Sequence, residues 1–412
     1  MTERVVKNKG WPAGVNNIAP DYDLPTDKFG DTIHLRSAVN VDFTDSGKVR
    51  SRKGKTRIYS GSVHSLWSDG KVALFVEGGA LKKLNPDNTA TALQVGIGDA
   101  RMQYVAAGDN VYFSNGSTAG IYTKGLVREW GVEAPTAAPQ LTQINGVLPA
   151  ARYQVVCTFL NVYGEESGCM AGTAIDVTTG GISVSIPQAT SIEVMKVNVY
   201  MTPPNGDEYY LAKTVSLAAS TQIIEEPVYG KILKTQFCAR MIPGELIEIY
   251  KGIMYAAVGN IIWHSEPYNY GLYMPAKNYM VFNGEITVMA STANGMYVVN
   301  DVTWYLAGTG PVDFTPTEVA PYGAAKYSAV HLKDGQSMIW RSHRGITQGD
   351  DGGKVTNLQE DRVFPAQAEQ GTTIIREQDS LKQIVSVGIN APYPAALVAS
   401  DYWEAEVIRQ RS

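Results

Sequence analysis

Six basic residues crowd one short stretch: Lys48, Arg50, Arg52, Lys53, Lys55 and Arg57. Guanidinium and ammonium groups at that density suit phosphate oxygens or an acidic protein surface. If the stretch is a strand, alternation places Lys48, Arg50 and Arg52 on one face. The competing reading is a solvated sheet edge that uses charge to refuse further strands. The five histidines, His34, His64, His264, His331 and His343, are far apart in sequence. Zinc ligation from local motifs needs two such residues at close spacing, so each reads as structural. His331 and His343 fall across one expected hairpin, which is weak evidence for a pair. Asp42, Asp45 and Gly47 are a fragment of a calcium loop without its remaining ligands, so an Asx turn is expected there. Glu165-Glu166 and Asp350-Asp351 are adjacent acids, which a strand points to opposite faces. They cannot form the facing carboxylates of a glycosidase, and loop solubility is the expectation. Gly349-Asp-Asp-Gly-Gly353 lacks the following helix that would present amides to a phosphate, and reads as a turn. No nucleophile elbow, Walker loop or dinucleotide fingerprint appears. The expectation is a protein without enzymatic activity, metal or cofactor.

The chain has 412 residues, enough for two or three domains with real cores. Charged residues make up only 18 %, and Tyr outnumbers Phe by 23 to 9, which suits a surface buried against other subunits. The formal charge of −5 argues against wrapping nucleic acid, but is compatible with a wall past which DNA slides. Cys157, Cys169 and Cys238 are too few and too scattered for a zinc site and odd in number, so no disulfide framework is expected and a reducing cytoplasm fits. No apolar run is long enough to span a membrane, and the start lacks the apolar segment of a signal peptide.

The elements that would hold these residues follow a weak repeat. A Gly- or Asx-bearing turn, an apolar β-rich run, a polar break and a second apolar run recur from Asp69, Asp109, Lys251, Asn294 and Asp334. Each copy reads as a β-hairpin, and the leading turns join further strands expected at 64–67, 102–106, 246–250, 286–291 and 327–332. Three to four strands per unit make a propeller blade. Gly70 to Asn110 is 40 residues, Gly252 to Gly295 is 43 and Gly295 to Gly335 is 40, but Asn110 to Gly252 is 142. Removing one blade from the long interval leaves roughly 100 residues, the size of an immunoglobulin-like or fibronectin-III-like β-sandwich. That interval opens with Glu133-Ala-Pro-Thr-Ala-Ala-Pro139 and continues with strand-like runs bounded by Gly, Pro or Asn.

The expected fold is therefore all-β: a β-propeller of about six blades, with five to seven as the range, interrupted by the sandwich. Residues 33–61 hold two strand-like pieces, and 372–388 read as a hairpin around 378–380. A last blade shared between the two chain ends would leave no open sheet edge. The expected organisation is an extended arm over 1–31, the first part of the propeller over 32–132, the insertion over 133–231 and the second part over 232–412. In the arm, Asn16 and Asn17 before Pro20 suit a turn that starts an extended segment able to clamp a neighbouring subunit, with Trp11 and Tyr22 as further contacts. The alternative is a frayed terminus.

Several words, in order along nearly the whole chain, carry a resemblance. They are Gly14-Val-Asn-Asn-Ile-Ala-Pro20, Ser37-Ala-Val-Asn-Val-Asp42 with Gly47-Lys-Val-Arg-Ser-Arg-Lys-Gly54, and Tyr200-Met-Thr-Pro-Pro-Asn-Gly206. Gly244-Glu-Leu-Ile-Glu248, Ser265-Glu-Pro-Tyr268, Tyr270-Gly-Leu-Tyr273 and Ile375-Arg-Glu-Gln-Asp379 complete the set. With them the chain resembles the tail nozzle or tail hub proteins of short-tailed bacteriophages. The resemblance implies a virion protein of the viral tail, assembled in the bacterial host cytoplasm as a hexameric ring. That ring would continue the DNA-exit channel below the portal and adaptor and retain packaged DNA until ejection. Implied partners are other copies of the chain, the adaptor and portal complex, tail needle, tailspike or fibre proteins, and passing double-stranded DNA without sequence specificity. Two other functions compete. A carbohydrate- or receptor-binding propeller predicts aromatic and carboxylate residues at one fixed position in every blade, which Trp263, Trp304 and Gly120-Ile-Tyr122 do not supply. A propeller-fold polysaccharide hydrolase or lyase needs a convergent acid pair or a Tyr/His/Arg cluster at the axis.

Overall fold

A computed structural model of the chain describes residues 10–28, 30, 33–39, 41–44, 47–52, 54, 56–227, 229–332, 335–359, 362–363, 367–378, 381–389 and 403–409. It is all-β. Among the described residues one three-residue 3-10 turn, Asp21–Asp23, is the only helix. The chain divides into two compact units, Ser62–Val281 and Met1–Gly61 with Phe282–Ser412.

The unit Ser62–Val281 contains three four-stranded antiparallel meanders. Meander A is His64–Ser68, Ala73–Glu77, Ala80–Leu84 and Ala90–Val95. Meander B is Gln103–Ala107, Asn110–Ser114, Ala119–Thr123 and Leu126–Arg128. Meander C follows the long interval, with Leu246–Tyr250, Ile253–Val258, Ile261–His264 and Tyr279–Val281. In meander B the central strands are apolar on both faces because it is sandwiched between meanders A and C. In Asn110–Ser114, Val111 and Phe113 pack with Leu74, Val76 and Leu81 of meander A. Tyr112, pointing the other way, packs with Ile247, Met254 and Ala256 of meander C.

The second unit repeats this scheme. Meander D is Val288–Ser291, Gly295–Val299, Thr303–Ala307 and Thr315–Ala320, and meander E is Val330–His331, Met338–Ser342, Gly345–Gly349 and Val355–Asn357. A three-stranded sheet, Gln370–Gln378, Leu381–Ile389 and Trp403–Arg409, follows. Along Met338–Ser342 the side chains again alternate between neighbours. Met338 and Trp340 join Tyr297 and Val299 of meander D, while Ile339 joins Ile384 of the three-stranded sheet. All ten strands of the five expected hairpins are present.

The long interval holds a two-sheet sandwich. Ala151–Asn161 is its central strand, flanked by Thr173–Val177 and by Val194–Met201, with Tyr210–Ser216 beyond. The facing sheet is Leu141–Leu148, Gly180–Ser185 and Thr221–Ile224. Tyr153, Val155, Cys157 and Phe159 alternate inward, as expected, and share one core with Leu148, Ile182, Val184 and Ile224 of the facing sheet. The strands Leu141–Leu148 and Thr173–Val177 were not among the expected ones. Each carries polar residues among the apolar ones and a single fully buried position, Leu148 and Val177, so neither stands out as an apolar run.

Two expectations about the termini need correction. Among the described residues of 33–61 the strands are Val41–Phe43 and Val49–Ser51, which pair with each other as a separate two-stranded sheet. Among the described residues no ladder joins them to the C-terminal hairpin, whose open side takes Trp403–Arg409 instead. The strand expected at 327–332 is only Val330–His331, because Tyr327 takes a left-handed backbone conformation, φ 67°, that ends the extended run.

Candidate functional site

The residues expected to make contacts lie mainly in segment 10–61, which backbone hydrogen bonds hold to its own chain. The Trp11 N–H donates to the Gly47 carbonyl at 2.8 Å, Asn16 N–H to Leu35 at 2.8 Å, and Leu35 N–H to Gly14 at 2.8 Å. Asn16 is buried, and its Oδ1 accepts from the N–H groups of Ile18 and Ala19 at 3.2 and 3.0 Å, the Asx turn expected before Pro20. The Asn17 N–H donates to the Arg362 carbonyl at 3.0 Å. Arg36 donates to the Ala19 carbonyl. Tyr22 stands in solvent, 93 % exposed.

The basic run divides by role. Lys48 and Arg50 are exposed. Arg52 turns inward, its Nε 3.5 Å from Oδ1 of the buried Asp42, whose Oδ2 lies 3.9 Å from Arg376. Arg57 bends over its own backbone and donates to the carbonyls of Tyr59 at 2.9 Å, Ser60 and Gly61. Lys53 and Lys55, like Asp45 of the calcium-loop fragment, lie outside the described residues. The single cationic face expected from Lys48, Arg50 and Arg52 is therefore not formed, because Asp42 captures Arg52. Nothing in the sequence marks Asp42 as buried; its neighbours Val41 and Phe43 are the apolar ones.

The paired acids are structural keystones rather than the solubility groups expected. Glu166 Oε1 accepts from Thr158 Oγ1 at 2.6 Å, Asn198 Nδ2 at 2.8 Å and Tyr200 OH at 2.6 Å, and Oε2 accepts from Lys231 Nζ at 2.8 Å. Burial alone would raise the Glu166 carboxyl, but these donors outweigh it and hold it below its ordinary range. Glu165 faces elsewhere, as adjacency requires. Its Oε2 accepts from Arg128 of meander B at 2.8 Å and from Asn161 at 2.9 Å, so it ties the sandwich to the meander before it. The Arg128 guanidinium also lies 4.5 Å from the centre of the Tyr163 ring. Asp350 caps its own turn through Gly352 and Lys354, and Asp351 accepts from the Asn294 N–H at 2.7 Å, linking meander E to meander D.

His64 is not solitary. Its Nε2 is 3.1 Å from Asp99 and its Nδ1 2.9 Å from Ser65 Oγ, which also accepts from the Met102 N–H at 2.9 Å. Ser65 sits at φ 54° where the register slips between His64 and Trp67, so the chain of groups pins a strand irregularity. Asp99 is 75 % exposed and holds the imidazole from the solvent side. His34 and His264 are shifted down by burial, with the charge of Arg362 adding to the effect at His34. The three cysteines are buried and unpaired, and burial pushes Cys157 and Cys169 up to about 12 and Cys238 to about 11, leaving them as inert thiols. Among the described residues no group of three His, Cys, Asp or Glu side chains is placed to hold a metal ion. No helix among them is long and apolar enough to cross a membrane.

No protein-family model matches the chain, and no curated protein matches it. Solved structures similar to it are WD40 β-propellers, among others. The WD40 domain of Neurospora crassa Pan2 matches with a TM-score of 0.33 and 10 % identity, over 79 % of this chain and 86 % of that one. The WD40 β-propeller domain of Doa1 matches with a TM-score of 0.33 and 10 % identity, over 85 % and 94 %. BBS1N, from a complex with ARL6DN, matches with a TM-score of 0.32 and 12 % identity, over 80 % and 88 %. At such scores the architecture rests on the strand pairing described above.

Proposed function

We propose that the chain is a structural protein of a bacteriophage tail. It would form the nozzle or hub ring that continues the DNA-exit channel below the portal and adaptor and retains packaged DNA until ejection. In this reading the meanders are blades of one propeller, and the spliced sandwich is a fibronectin-III-like domain projecting from it. The observation that carries the reading is the organisation itself. Repeated four-stranded meanders share cores with their neighbours, and a self-contained sandwich interrupts them between the second and third. This is the layout that the resembled family implies, and the ordered sequence words fall on both sides of the interruption. The work done is mechanical: stacked sheets that share cores with their neighbours hold a channel of fixed bore. Partners in this reading are other copies of the chain, the adaptor, needle or fibre proteins, and passing duplex DNA. A net charge of −5 keeps such a wall from binding the phosphates it must release.

Gold-labelled antibody raised against the chain and applied to tailed particles tests the assignment. Label below the portal, at the tail tube, is the expected result. Label confined to the tips of fibres would replace this reading with the receptor-binding one.

A further inference from the structure

Among the described residues of segment 10–61 those that are buried are Asn16, His34, Asp42 and Gly47, not one of them a large apolar side chain. Apolar residues such as Trp11, Val15, Ile33, Leu35 and Phe43 are half-buried, and a further set stands in solvent. Tyr22 is 93 % exposed, Val39 81 %, Ile58 60 % and Ile18 50 %. Within that polar interior His34 Nδ1 is buried without a hydrogen-bond partner among the described residues, and Asp42 Oδ1 meets Arg52 Nε only as an ion pair at 3.5 Å. A chain folding for its own stability buries Tyr and Ile and leaves Asp and His in water, so this pattern is that of a surface finished by something else.

The charge distribution says what that is. Residues 10–61 contain 8 Lys and Arg against 6 Asp and Glu, whereas 62–412 contain 24 against 33. The segment is slightly positive and the rest distinctly negative, so each copy carries both halves of a complementary pair. Such a contact is heterologous, head to tail, and closes into a ring when the rotation permits.

We infer that segment 10–61 docks on the acidic 62–412 surface of a second copy of this chain, with Ile18, Tyr22, Val39 and Ile58 covered in the contact and Lys48 and Arg50 facing the neighbour's acids. This deepens the ring reading above and rests on it. It differs from the expected arm over 1–31 in two ways. The docking element extends to residue 61, and its centre is the exposed apolar set rather than the basic run, of which Arg52 and Arg57 are engaged within the chain.

The test uses the full chain carrying a photo-crosslinking amino acid at Tyr22, Val39 or, as a control on the exposed surface of the same unit, Val312, which is fully exposed. Isotopically light and heavy copies are mixed, irradiated and digested. Light–heavy peptide pairs joining positions 22 and 39 to residues within 62–412, and at least tenfold rarer at position 312, are the expected result. Raising the salt to about 1 M shortens the Debye length to about 3 Å and lowers the yield several-fold. Val39→Ser with Ile58→Ser should cut the yield from position 22 at least tenfold without lowering the thermal midpoint of the chain. Assembly with no such pairs from positions 22 and 39 overturns the inference and leaves the ring reading standing. A chain that never associates overturns both. Retention of duplex DNA through Lys48 and Arg50, in place of a second copy, also overturns it.

Discussion

At the scale of single residues the decisive group is Glu166, whose carboxylate gathers Thr158, Asn198, Tyr200 and Lys231. Thr158 and Asn198 are direct cross-strand partners, and Tyr200 is two residues further on the same face, opposite the core. Replacing Glu166 with Ala leaves several largely buried donors unpaired. A loss of about 2–4 kcal/mol is expected, readable from urea unfolding of the full chain; a change under about 0.5 kcal/mol would show the network to be idle. The pH dependence has a definite sign. Because Glu166 is depressed in the folded state, its contribution is complete above its unfolded value near 4.5 and fades as pH falls below that through the folded value. Glu166→Gln should flatten the acid limb of the stability curve. None of this was legible in the sequence, where Glu165-Glu166 reads as a polar loop. The donors come from two other strands and from Lys231, and only the register brings them together.

At the scale of elements, the joint between meanders B and C is the most demanding. Trp130 is buried, donates from Nε1 to the Tyr270 carbonyl at 2.8 Å and meets the Tyr112 ring edge-on at 5.5 Å. Gly131 beside it has φ 78°, and a Cβ there would lie 2.2 Å from the Gly271 carbonyl oxygen, so only glycine fits. Trp130→Ala should cost about 3–5 kcal/mol and Gly131→Ala about 1–3 kcal/mol or more, both measured as shifts in the urea midpoint. Wild-type midpoints would mean that the joint bears no load. The hairpins themselves were legible, because Val, Ile, Tyr and Trp runs flank Gly and Asx turns. The outermost strand of each meander was not. Ala90–Val95 and Thr315–Ala320 are edge strands in which exposed and half-buried positions follow no clear period. Among the described residues the blade expected from both chain ends is not formed, for a related reason: strand-like residues at 33–61 say nothing about which edge they pair with.

At the scale of the molecule, the sequence period located the interruption but not its internal pairing. Of the 15 buried residues of its core, all but Val132 lie within the sandwich and most are drawn from its two sheets. It is therefore expected to fold alone: residues 133–231 should unfold in one cooperative transition, as seen by circular dichroism, and a featureless melt would show that it depends on meander B through Arg128–Glu165. The proposed ring rests only on the family words and the light charge. Both point to assembly, and neither gives its geometry.

The most direct test of the central claim is imaging of the purified full-length chain, with native mass measurement of the same sample. Closed rings of a fixed number of copies around an axial opening wide enough for duplex DNA are the predicted result. A chain that stays single at every concentration and binds or cleaves a polysaccharide would contradict it.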